Sequence, residues 1–223
     1  MGTSVKTFAD SSAVNCLGRG IYDIKEMARL LKQGKSRVEG WTHSRGNSPA
    51  LLTPELAGLF SFWDLISARV VAELVQRGVP RSDIYRGAQH LAQTLDTDRP
   101  FAHQRLATVG VGFFADVEGG WQDAGQRGQL AFPDVIGPLL EPITFDDSQM
   151  AAIWRPHPGV WINPNVQAGA PCVDGTRVPT LLLVSLIDSD KPDMDELQAV
   201  GDDYRLTAAQ VRTALDYELA LAA

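Results

Sequence analysis

The sequence predicts a mainly α, mixed α+β fold in three parts. These are an N-terminal winged helix-turn-helix domain over residues 20–95, a linker with a central β-hairpin over 96–157, and a C-terminal three-helix, helix-turn-helix-like domain over 158–223. Three observations predict it. Two short amphipathic helical patterns are separated by only three residues around position 33; a charge-free, glycine-interrupted run rich in β-branched and aromatic residues lies mid-chain; and a well-capped final helix follows two shorter helical stretches.

Taking the elements in order, Asp23 is placed to cap a helix, Glu26 stands three residues later, and Tyr22 and Met27 form a hydrophobic staple across the cap. Ile24, Met27, Ala28 and Leu31 repeat at i, i+3, i+4 and i+7, one helical stripe. Lys32-Gln33-Gly34 then supplies a short turn, with the glycine free to take the left-handed conformation. A second helix is expected from Lys35 to Thr42, with Val38 and Trp41 inward and Lys35, Ser36, Arg37 and Glu39 outward. Residues 44–59 are rich in turn formers and fit a small hairpin or wing. From Ser61, Phe62, Leu65, Ile66, Val70 and Leu74 form a broad apolar face that ends at Gly78-Val79-Pro80. Ser82 caps a following helix to about Leu95, and Asp96 to Pro100 reads as an exit linker.

Thr108 to Phe114 reads as a strand, and Gly119-Gly120 turns it toward a weaker strand near 129–132. An isolated two-stranded hairpin is marginal in water, so this one needs a partner surface, a second copy of the chain being one candidate. The last 65 or so residues read as all-helical, entered through Trp161 to Pro164 and a loop from Gly169 to Arg177. Helices are expected over 178–187 and 194–200, followed by a final one with a Thr207–Gln210 capping box, a Leu206–Val211 staple and an inner face of Val211, Ala214, Leu215 and Leu219.

Composition narrows the function classes. The net charge of -7 is unevenly spread: residues 1–91 carry 12 Lys or Arg against 8 Asp or Glu, residues 92–159 carry 4 against 9, and residues 160–223 carry 4 against 10. Only the first part suits a polyanion. No apolar run approaches a membrane span and the N-terminus lacks a signal-peptide core, which implies a cytoplasmic protein. Cys16 and Cys172 read as free thiols, and His43, His90, His103 and His157 lack the spacing of a metal site. Enzymatic chemistry finds little support. Asp146-Asp147 and the acidic stretch from Asp188 to Glu196 lack an accompanying base, there is no Walker-type loop, and Gly110-Val111-Gly112 lacks the third glycine of a dinucleotide site. No cofactor is expected.

A DNA-reading helix needs its N-terminal side chains free while its other face is anchored. Lys35, Ser36 and Arg37 meet that requirement: Arg37 suits a guanine edge, Lys35 and Ser36 suit phosphates, and Arg45 in the wing suits a neighbouring phosphate or the minor groove. A solvated basic helix face accounts for the same residues without DNA.

The runs Tyr22 to Leu31, Ser36 to Trp41, Phe62 to Ile66 and Arg77 to Pro80 resemble the winged-helix domain of the MerR family, over about a third of the chain. That resemblance implies DNA contact at Ser36, Arg37 and Trp41, while Glu39 departs from the family's usual basic residue. The candidate DNA-contacting set is thus Tyr22, Lys35, Ser36, Arg37, Trp41, Thr42 and Arg45. The runs Ile162 to Thr180 and Tyr204 to Glu218 resemble a small family of uncharacterised antitoxin-like domains, and their pairing with a MerR-like front end is similar to VapB-type antitoxins. The resemblance implies an antitoxin that represses its own operon by binding operator DNA and neutralises a PIN-domain ribonuclease toxin. The acidic C-terminal part is assigned to protein contact through Asp174, Thr176 and Arg177, although a tight turn with Asp174 paired to Arg177 is the plainer account of that loop. A homodimer reading two half-sites is expected. The alternatives are a non-DNA-binding adaptor and a MerR-like effector-sensing regulator without a toxin partner.

Overall fold

The computed structural model describes residues 18–222 except 47, 55–57, 112–120, 123–128, 131 and 190. The chain is a mixed α+β structure with a four-stranded antiparallel sheet. The first helix, α1 (Ile24–Leu30), begins as its cap predicts, with Asp23 Oδ1 accepting from the Lys25 and Glu26 amides at 2.8 Å each. The left-handed residue of the turn that follows is Lys32 (φ 51°), not Gly34. Gly34 is extended and serves as the N-cap of α2 (Lys35–Trp41), which buries Val38 and Trp41. The expected wing is a tight turn in which Arg45 and Ser48 exchange two backbone hydrogen bonds, after which the Leu51 and Leu52 amides both donate to the Trp41 carbonyl.

Ser61 and Asp64 form a capping box on α3 (Phe62–Gln76). Pro80 occupies the cap of α4 (Arg81–Leu95), so Ser82 falls inside the first turn rather than capping it. Residues 96–100 are not an exit linker. Arg99 Nε lies 2.8 Å from the buried Asp64 carboxylate, and Pro100–Ala102 form a buried 3₁₀ turn. The segment reads as a loop because its Asp, Arg and Pro are turn formers, but the partner of Arg99 lies 35 positions away, where local pattern cannot reach.

The middle of the chain differs most from expectation. The strand expected over 108–114 meets instead, at Thr108 and Val109, the end of a short helix, α5 (Leu106–Val109), and residues 112–114 of that run lie outside the described residues. The Phe132 ring occupies the space a side chain at Gly110 would need. A short apolar run buried on several sides carries no period that separates strand from helix. The two-residue strand β1 (Trp121–Gln122) pairs with β2 (Gln129–Leu130), and Phe132 opens α6 (Phe132–Leu140).

The strands β3 (Ile143–Phe145), β4 (Ala151–His157), β5 (Val160–Ile162) and β6 (Cys172–Val173) then form the sheet in meander order. It straddles position 158, so the C-terminal part is not all-helical. Register shifts at Thr144/Phe145 and within Trp154–His157 break the alternation by which the longest strand would have been recognised. Three helices close the chain: α7 (Thr180–Ser185), α8 (Met194–Asp202) and α9 (Ala208–Ala222). Tyr217 and Glu218 are buried on α9, whereas Leu219, expected on the inner face, is 59% exposed. Among the described residues no helix is long and apolar enough to cross a membrane.

One apolar core runs from Tyr22 through α3, α6 and the sheet to Ile162, crossing both expected domain boundaries, and a smaller one gathers Val173, Leu183, Leu197 and Val211. Directional bonds join the helix pair α1–α2 to the C-terminal unit. Tyr22 donates its hydroxyl to the Gly169 carbonyl at 2.9 Å and the Ile21 amide donates to Ala168. Arg29 reaches Glu218 at 2.6 Å while Thr180 donates to the other oxygen of the same carboxylate.

Candidate nucleic-acid interface

The α1–α2 pair positions a cationic edge. Lys35, Ser36 and Arg37 stand exposed in the first turn of α2, whose opposite face is held by the buried Val38 and Trp41. Lys35 Nζ lies 3.4 Å from Glu39, and Arg37 Nη1 donates to Gln33 Oε1 at 3.0 Å. Both ties are on the surface and weak, so they orient the side chains without preventing a competing phosphate from taking them. Gly40 and Arg45 fit together: the Arg45 guanidinium fills the space above the glycine that a side chain there would need.

Sequence reasoning missed Arg81. From the start of α4 its guanidinium donates to the carbonyls of Gly40, His43 and Pro49, gathering the end of α2 and the Arg45 turn into one piece. Desolvation, and secondarily the neighbouring Arg45, hold its pKa below the ordinary arginine value. The signal available in sequence was only a basic residue after a proline, which is common at helix starts.

Two members of the expected DNA-contacting set sit elsewhere. Tyr22 and Trp41 are 2% and 3% exposed, placed in the core by their aromatic area, and Tyr22 is further fixed by its bond to Gly169. Desolvation raises the pKa of the Tyr22 phenol, with smaller contributions from Glu26 and Tyr217. Thr42 is half-buried at the end of α2 and donates to the Glu39 carbonyl. The structure therefore brings together Lys35, Ser36, Arg37 and Arg45 as accessible groups, and withdraws Tyr22 and Trp41.

In the second candidate site, Asp174 pairs with Arg155 at 3.3 Å rather than with Arg177, because β4 brings Arg155 alongside. Thr176 donates to the Val173 carbonyl and accepts from the Val178 amide, which makes it a turn-forming group, and the Arg177 side chain is exposed. Apolar side chains that this region exposes are Leu181 and Leu182 on α7, Leu186 at its C-cap, Met194 at the start of α8 and Leu219 on α9.

Fold and site together define a mixed α+β chain in which a basic helix pair is locked to an acidic sheet-and-helix unit. Residues 160–217 of that unit match the family model described as "Protein of unknown function (DUF433)", consistent with an uncharacterised C-terminal domain. The whole fold is similar to the X-ray crystal structure of Rv2018 from Mycobacterium tuberculosis, with a TM-score of 0.66 and 24% identity over 87% of this chain and 96% of that chain. At that identity the likeness is one of fold. No curated protein matches the chain.

Proposed function

We propose that the chain is a DNA-binding autorepressor of the antitoxin type, in which α1, the turn and α2 act as the helix-turn-helix of a winged-helix reader. The observation that supports it is the free first turn of α2, with Lys35, Ser36 and Arg37 exposed on a helix whose other face is buried. Arg45 and Arg81 add positive charge at the far end of the same helix. A dimer supplies the second reading helix, since one such helix covers only a few base pairs.

The acidic C-terminal unit is the protein-binding half. Its exposed Leu181, Leu182 and Leu186 offer the apolar centre that interfaces need, a better anchor than the loop bearing Asp174 and Thr176. A PIN-domain ribonuclease is the partner we propose, on the resemblance of the sequence to VapB-type antitoxins.

The test is titration of the chain's own promoter DNA across a salt series. Lys35→Ala and Arg37→Ala are each expected to lower the slope of log affinity against log salt by about 1, and Arg37→Ala also to relax base preference at one position. Unchanged binding in both variants would overturn the reader assignment and favour a protein adaptor. Co-purification with a co-expressed PIN-domain partner, lost in Leu181→Asp, tests the other half.

A further inference from the structure

Between α1, α3, β4 and α9 lies a cavity of about 310 Å³, with Leu31, Arg69, Leu139, Trp154 and Tyr217 among its walls. The volume is that of roughly ten liquid waters, at the small end of ligand pockets.

Arg69 is the charged group of this cavity. Its guanidinium carbon lies 5.1 Å from the centre of the Trp154 ring, and Nη1 donates to the Leu139 carbonyl. No described carboxylate lies within ion-pair distance of it, and the neighbouring Glu73 is engaged by Arg77 at 2.6 Å. Burial pulls the Arg69 pKa down to about 10, so it is still a cation at neutral pH, partly desolvated and offset among the described residues only by the nearby Glu73 charge. Two further wall residues, each 4% exposed, carry polar atoms that no described group satisfies: the Trp154 indole N–H and the Tyr217 hydroxyl. Both atoms are themselves fully buried and out of reach of an occupant, which leaves the half-buried Arg69 guanidinium as the cationic group of the wall.

We propose that this cavity binds a small organic carboxylate, its oxygens toward Arg69 and its apolar body against Leu31, Leu139 and Leu221. One guanidinium suits a monoanion, and Glu73 in the same wall disfavours a dianion such as phosphate. The cavity also touches Lys32 and Gln33, the turn between α1 and α2, and Gln33 Oε1 is the acceptor that orients Arg37. Occupancy therefore reaches the DNA-reading helix; this second step rests on the function proposed above, whereas the binding site itself does not.

The experiment is thermal denaturation and calorimetry of the full chain with benzoate, phenylacetate and indole-3-acetate at millimolar concentration, each beside its uncharged amide. At least one carboxylate is expected to raise Tm by roughly 2–4 °C while its amide does not. Binding is expected to weaken more than about tenfold in Arg69→Gln. Leu139→Trp, which fills the cavity from its apolar side, is expected to abolish it if Arg69→Gln does not fold. No shift with any carboxylate, equal shifts with the amides, or undiminished binding in a folded Arg69→Gln or Leu139→Trp protein would each overturn the site. A bound carboxylate that leaves promoter affinity unchanged overturns only the coupling to α2.

Discussion

Gly169 is the residue on which the joint between the two halves turns. Its φ is +86°, and a β-carbon there would lie 2.2 Å from the Tyr22 hydroxyl oxygen and 2.9 Å from Cζ. Gly169→Ala therefore carries two costs. The left-handed conformation costs about 1 kcal/mol for a residue with a side chain, and displacing a buried hydroxyl from its carbonyl acceptor costs about 1–3 kcal/mol more. About 3 kcal/mol in a chain of this size lowers Tm by roughly 6–12 °C.

Gly175 supplies the control. It has φ +74° and nothing within 4 Å of the point a β-carbon would occupy, so Gly175→Ala meets only the conformational cost, about 1 kcal/mol or roughly 2–4 °C. Tyr22→Phe removes the atom that clashes worst, so in the double variant with Gly169→Ala the losses should sum to less than the two single losses by about 1 kcal/mol. Calorimetric melts of the four proteins measure all of this. Equal losses in the two glycine variants, or strict additivity with Tyr22→Phe, would refute the steric argument and return Tyr22 to a role on the surface.

Glu218→Ala leaves Thr180 with only its longer bond to the Pro171 carbonyl, at 3.3 Å, and Arg29 held by Glu26 alone, and should cost about 1–3 kcal/mol by denaturant titration, with an Arg29→Met cycle giving a coupling of about 1 kcal/mol. Arg81→Met breaks three bonds to backbone carbonyls and should lower both stability, by about 1–3 kcal/mol, and promoter affinity, although Arg81 need not touch DNA. Desolvation pushes the Cys172 thiol up to about 11, so it should resist alkylation in the folded chain at pH 8; because an unfolded thiol ionises near 9.0, stability should fall as pH rises from about 9 toward 11. A fragment of residues 18–95 loses the Ala151 carbonyl that accepts from Trp63 Nε1 and the Arg99 partner of buried Asp64, and should melt without cooperativity by circular dichroism. A sharp transition would show that the N-terminal part folds alone.

What was legible in the sequence was local. The Asp23, Ser61 and Thr207 caps and the apolar stripes of α1 and α3 involve residues within a few positions of one another, and the starts of α1 to α4 and α7 to α9 fall within two residues of expectation, whereas α5 and α6 were not expected as helices. What was not legible depended on distant partners. Asp64 with Arg99, Trp63 with Ala151, Tyr22 with Gly169 and Arg29 with Glu218 turn apparent loops and surface groups into core, and the larger apolar core spans residues from Tyr22 to Ile162. The sheet was hidden for a different reason: strands of three, seven, three and two residues, interrupted by register shifts, never sustain the alternation that marks a strand.

The same distinction governs the candidate sites. Lys35, Ser36 and Arg37 could be placed on an outer face from spacing alone, because Val38 and Trp41 fix the inner one. Tyr22 could not, since an aromatic residue ahead of a cap serves equally as staple, core or contact, and only the arrival of Gly169 from 147 positions away decides it. The cavity around Arg69 is assembled from α1, α3, β4 and α9, and no segment of it announces a ligand by itself. If the basic helix pair and the acidic unit were independent modules, the seam between them would carry apolar contact alone. Instead it carries a buried carboxylate and a tyrosine hydroxyl, groups that cost free energy to bury and hold partners in one orientation. In the regulator proposed above, such a joint would transmit a change in angle from the C-terminal unit to α2 where an apolar contact would slip.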